Sequence, residues 1–140
     1  MSARVWWRVD NGRRSVIRHA ALLGLLVASL AAPALAVETI DEDLMYDIDD
    51  LHAALKQQLA RQDAARTGAA ATKLQALLAQ VEAFYARDPA TKDAVGFARK
   101  AQALSAQLGS SSAAGDWPAA ATAYQALSAS CKSCHSRYNP

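Results

Sequence analysis

The chain lacks any stretch in which apolar and polar residues alternate over a strand length, and runs of valine, isoleucine and threonine are scarce. Both absences argue against a sheet. There is no glycine-rich phosphate loop, no Ser–His–Asp constellation and no pair of carboxylates spaced for general acid–base work, so catalysis of those kinds has no support. No internal repeat of fixed length is present. Cysteine is almost missing: the 140 residues contain two, Cys131 and Cys134, both in the last ten positions.

Lysine and arginine are unevenly spread. Arg4, Arg8, Arg13, Arg14 and Arg18 precede the apolar run A-A-L-L-G-L-L-V-A-S-L-A-A-P-A-L-A. A basic region, an apolar run and a small-residue A-L-A site, in that order, describe a secretory signal peptide over residues 1–36, cleaved after Ala36. Pro33 interrupts the run, and about 20 apolar residues are needed to span a bilayer, so no stable membrane insertion is expected after cleavage. Arg13 and Arg14 match a twin-arginine signal only loosely. The expected mature domain, 37–140, keeps 10 basic and 12 acidic residues, a formal charge of −2. No basic stripe survives in it to bind nucleic acid. It also keeps one tryptophan, Trp117, and one methionine, Met45. Export places the chain in an oxidising compartment, where two cysteines can form a disulfide.

What remains is rich in alanine, leucine, glutamine and lysine, which favours helix. Thr39 and Glu42 have the spacing of a capping box. Leu44, Ile48, Leu51, Leu55 and Leu59 then mark one face of a helix running to about Ala65. Arg66, Thr67 and Gly68 break the pattern. Leu74, Leu77, Leu78, Val81, Phe84 and Tyr85 define a second helix that stops near Asp88, before Pro89. A third begins near Thr91 with Ala94, Val95, Ala98, Ala101, Leu104 and Leu108 facing inward; Gly109, Ser110 to Ser112 and Gly115 mark its end. Asp116 and Pro118 suit the start of a fourth, with Ala121, Tyr124, Leu127, Cys131, Cys134 or His135, and Tyr138 on its inner face. Phe84, Tyr85, Phe97 and Tyr124 read as ordinary core. The expected fold is all-α, an antiparallel four-helix bundle whose cofactor sites lie between facing helices.

The last helix carries C-K-S-C-H, Cys131 to His135. Cys131, Cys134 and His135 project within one narrow helical sector. Two thiols there can add to the vinyl groups of a flat macrocycle while the imidazole reaches its iron, which is why C-x-x-C-H reads as covalent haem attachment. Three rival readings stand beside it. A thiol-redox pair belongs at a helix N-terminus near a βαβ unit, whereas this motif ends a helix. A zinc site needs a fourth ligand from elsewhere, such as His52 or an acidic residue. A disulfide three residues apart on a regular helix is strained and leaves His135 unexplained.

The leader, four helices and a C-terminal C-K-x-C-H-x-x-Y, with Cys131, Lys132, Cys134, His135 and Tyr138 in place, resemble the class II c-type cytochromes, the family of cytochromes c′ and their low-spin relatives. The resemblance implies one covalent haem c near the end of the fourth helix, with the first helix over its other face. His135 is then the proximal iron ligand. Met45 is positioned to be the distal one, against the plainer reading that it fills core; by resemblance, a methionine early in helix one marks the six-coordinate, low-spin members. His52 is a rival ligand two turns further on, and His19 lies in the leader. With His135 and Met45 both bound, the iron has no open site, and the function implied is periplasmic electron transfer between redox partner proteins, not an enzyme activity. The alternatives are a high-spin, five-coordinate cytochrome c′ that binds NO or CO, and a haem-free thiol or zinc protein. Lys132 and Arg137 are candidates for the haem propionates, although basic residues also suit a helix C-terminus. The acidic group Asp41, Glu42, Asp43, Asp47, Asp49 and Asp50 is a solvated face that can guide a basic partner. Pairing into a homodimer is implied by resemblance only.

Overall fold

The computed structural model describes residues 40–138. The leader expected over 1–36, its cleavage after Ala36, and Thr39 lie outside the described residues. Within them the chain is all-α, with four long helices, one 3-10 turn at Pro89–Thr91 and no strand. α1 is Glu42–Ala60, α2 Ala64–Tyr85, α3 Lys92–Ala113 and α4 Trp117–Tyr138. Among the described residues no helix is long and apolar enough to cross a membrane.

Aspartate starts three of the four helices. Asp41 caps α1, its side chain accepting the Leu44 N–H at 2.9 Å. Asp63 does the same for the Arg66 N–H at 3.0 Å, and Asp116 for the Ala119 N–H at 3.0 Å. Each cap satisfies a backbone donor that the helix cannot and contributes about 1 kcal/mol.

The connections differ from the sequence expectation in two places. α1 does not run to Ala65 and break at Arg66–Gly68; it ends at Ala60, and Arg66, Thr67 and Gly68 belong to the first turns of α2. The turn closes with the Gln62 N–H on the Leu59 carbonyl and the Asp63 N–H on the Gln58 carbonyl, both 3.0 Å. This is a Schellman closure with Gln62 at φ 53, in the left-handed position usually given to glycine. α3 likewise continues through Gly109 and Ser110–Ser112. The buried hydroxyl of Ser112 is satisfied within the helix, donating to the Leu108 carbonyl one turn back at 2.8 Å, as that of Ser105 does to Ala101 at 2.9 Å. The turn comes at Gly115, φ 72, with the Asp116 N–H on the Ser111 carbonyl.

The helices share one apolar core in a bundle-like arrangement. Leu55, Leu74, Leu108 and Leu127, one from each helix, are fully buried, and each contributes about 1.5–3 kcal/mol by leaving water. α2 packs most extensively on α3 and α3 on α4, while α1 rests mainly on α2 and touches α4 sparsely. In α4 the buried stripe is Ala120, Ala123, Leu127 and Ser130. Ala121 is exposed, contrary to expectation, because the stripe is turned one residue back from the predicted face. That rotation leaves Cys131, Cys134, His135 and Tyr138 half-buried at the stripe's edge rather than in the close-packed interior.

Candidate functional site

The edge of that stripe faces a cavity of about 440 Å³ to which all four helices contribute. Cys131, Cys134, His135 and Tyr138 line it from α4, Met45 and Ile48 from α1, Leu78, Val81, Phe84 and Tyr85 from α2, and Phe97, Ala98 and Ala101 from α3. The four residues singled out in the sequence, Met45, Cys131, Cys134 and His135, are thus brought to one space from opposite ends of the described chain. Both cysteines are free thiols. Phe84, Tyr85 and Phe97 are wall residues of this cavity, half-buried rather than ordinary core. They stand near the chain ends of α2 and α3 that face the motif.

A second cavity of about 310 Å³ adjoins the same strip of α4, lined by Asp49 and His52 of α1, Ser128, Cys131, Lys132 and His135 of α4, and Ile48 and Leu74. His52 belongs to this second space and not to the larger one. Its Nε2 lies 2.7 Å from Ser128 Oγ, and its ring stacks on Tyr124 with centroids 4.7 Å apart at 18°. The ring is thus engaged with Ser128 and Tyr124 of α4. Burial holds its pKa below the usual 6.5, partly countered by Asp49. Tyr124, read from sequence as core, is therefore the platform under His52.

The last turn of α4 is held to α3 by contacts that no local sequence pattern announces. Tyr138 Oη donates to Asp93 Oδ1 at 2.5 Å, and Arg137 Nη1 sits 2.8 Å from Asp93 Oδ2. The Tyr138 ring lies 5.1 Å from that of Tyr85. The phenol's hydrogen bond lowers the Asp93 pKa, and the same bond to the carboxylate raises that of Tyr138. Arg137 is engaged by Asp93, whereas Lys132 is exposed at the smaller cavity. The acidic residues Asp41, Glu42, Asp43, Asp47, Asp49 and Asp50 are all exposed.

The chemistry of the lining separates the candidate ligands. Burial raises the pKa of both thiols, reinforced by Asp49 at Cys131 and by Asp93 at Cys134. Redox C-x-x-C motifs depend on the opposite shift, toward a stable thiolate. A structural zinc ion needs four converging donors, and among the described residues no three His, Cys, Asp or Glu side chains converge on a metal position. A haem brings four ring nitrogens of its own, so the protein has to supply only one or two axial donors. One imidazole, one thioether, two protonated thiols on a single helical edge and aromatic and aliphatic walls fit that group. The cavity volume falls within the range of about 300–1,000 Å³ usual for cofactor pockets. No family model, curated protein or solved structure matches the chain.

Proposed function

We propose that this chain is a periplasmic monohaem c-type cytochrome that carries electrons, built as an antiparallel four-helix bundle. The observation that carries the reading is the meeting of Met45 with Cys131, Cys134 and His135 at one cavity. Chance does not readily bring the only methionine after Met1 to the same space as a C-x-x-C-H motif more than 80 residues away. The leader, with its basic region, apolar run and A-L-A site, supports export.

In this reading Cys131 and Cys134 would hold the haem through two thioethers, and His135 and Met45 would be the side chains that bind its iron. A haem so held supplies a one-electron iron couple, and a thioether ligand raises its potential. The rest of the work falls to the chain. Leu78, Val81, Phe84 and Phe97 give the site apolar walls, which reduce the solvent that must rearrange when charge changes. Asp93 anchors the α4 turn that carries Cys134 and His135. The exposed carboxylates at the start of α1 lie beside Met45 and present a negative surface to a basic redox partner.

Mass spectrometry of the mature protein tests attachment: the mass of one haem is expected, and it is lost in the Cys131→Ser/Cys134→Ser double variant. A mature protein without that mass contradicts the reading. A five-coordinate spectrum that readily accepts CO or NO instead supports the gas-binding alternative.

A further inference from the structure

We infer that His52 is a positioning residue, a latch to α4 that sets the spacing between α1 and α4 and thereby where Met45 stands at the cavity lined by His135. The part concerning iron ligation rests on the function proposed above; the part concerning helix spacing does not.

Among the described residues, every polar contact between α1 and α4 runs through His52. Nε2 meets Ser128 Oγ at 2.7 Å, the backbone carbonyl of His52 accepts from Tyr124 Oη at 3.3 Å, and the ring stacks on Tyr124. Ser128 Oγ also donates its single hydrogen to the Tyr124 carbonyl at 3.0 Å. With that hydrogen on the Tyr124 carbonyl the Ser128 oxygen accepts from His52 Nε2–H; in the other tautomer the hydroxyl turns and donates to Nε2. A hydrogen bond fixes distance, the stack fixes tilt, and the backbone contact fixes the height of α1 along α4. Elsewhere α1 meets α4 sparsely.

The latch is in register with the candidate ligands. Met45 lies seven residues before His52, and His135 seven residues after Ser128. Seven residues span about 10 Å of helix and return to nearly the same face. The order of contacts reverses between the two helices: early α1 shares the larger cavity with late α4, and His52 meets the middle of α4. Stepping two turns from the latch therefore reaches Met45 on one helix and His135 on the other, in the same direction. Met45 itself is half-buried between the buried Leu44 and Ile48, and its turn packs on the neighbouring helices through the apolar core.

The test compares the mature wild-type protein with His52→Ala, Ser128→Ala and His52→Gln, the last retaining an N–H donor toward Ser128. Amide hydrogen exchange is read over residues 44–52, and the Met-ligated fraction by visible spectroscopy. Loss of the latch is expected to speed exchange over that stretch in both alanine variants. It also lowers the ratio of six- to five-coordinate iron about fivefold, with His52→Gln recovering most of both. Unchanged exchange in His52→Ala and Ser128→Ala overturns the latch. Faster exchange with an unchanged spectrum overturns its control of Met45. A wild-type spectrum that is already five-coordinate defeats the carrier reading, and exchange then still decides the latch.

Discussion

Between α2 and α3 the facing residues are small. Ala70, Ala71, Ala98 and Ala101 are buried, and a Cβ added at Gly109 would stand 3.4 Å from the Ala71 Cβ. A polar brace reinforces them, with Glu82 accepting from Arg99 Nε and from Gln102 Nε2, both at 2.7 Å. α1 touches α4 sparsely, residues of both helices line both cavities, and among the described residues His52 makes every polar contact between the two. Small residues let two backbones approach. Where α1 and α4 touch sparsely, space is left that side chains of all four helices line. The molecule thus combines a close-packed side, which holds the fold, with a looser seam, which holds the candidate site.

Substitutions on the two sides are expected to separate stability from site chemistry. Leu127→Ala, in the packed core, should lower unfolding free energy by about 2–5 kcal/mol. Met45→Ala, on a cavity wall, should change it by about 1 kcal/mol or less. Urea unfolding of both variants measures the contrast, and equal losses would erase it. Gly109→Leu comes next, forcing a branched side chain against Ala71 at a cost of about 1–3 kcal/mol. Gly109→Ala should be neutral or stabilising by up to about 1 kcal/mol, because the added methyl reaches only ordinary contact distance and alanine favours helix. A similar penalty for both would mean that the interface is tighter than described.

A smaller effect is expected from pH. Burial lowers the His52 pKa, so as pH falls below the unfolded value near 6.5 the unfolded chain takes up this proton first. Stability contributed by neutral His52 is complete above that value and is lost as pH falls through the window down to its lowered folded value. The urea midpoint should drop over this range, and drop less steeply in His52→Gln. Glu82 adds a second decline in the acid range, since hydrogen bonds from Arg99 and Gln102 hold its pKa below 4.5. An unaltered slope in His52→Gln would mean that this histidine is no more desolvated in the fold than in the unfolded chain.

Legibility in the sequence followed the same division. The helices announce themselves, because leucine and alanine at spacings of three and four are enough to define faces such as Leu44, Ile48 and Leu55, or Leu74, Leu78 and Val81. Their ends do not. Gly68 and Gly109 look like breaks yet sit inside helices, while α1 actually ends at a glutamine forced into the left-handed position. α3 continues through residues that usually mark a loop because Ser112 is buried against the core with its hydroxyl satisfied one turn back. Of the residues that meet at the larger cavity, C-K-S-C-H was legible because it is compact and Met45 because methionine is rare. Its supports were not. His52 meets Tyr124 and Ser128 more than 70 residues away, and Asp93 meets Tyr138 across 45, pairings that only the packing of helices can create.

The visible spectrum of the ferric mature protein, recorded beside that of Met45→Ala, tests the central proposal most directly. A low-spin, six-coordinate spectrum with a thioether-to-iron band toward the red end, absent from the variant, is the predicted result. A five-coordinate wild-type spectrum, or a six-coordinate one that Met45→Ala leaves unchanged, would contradict it.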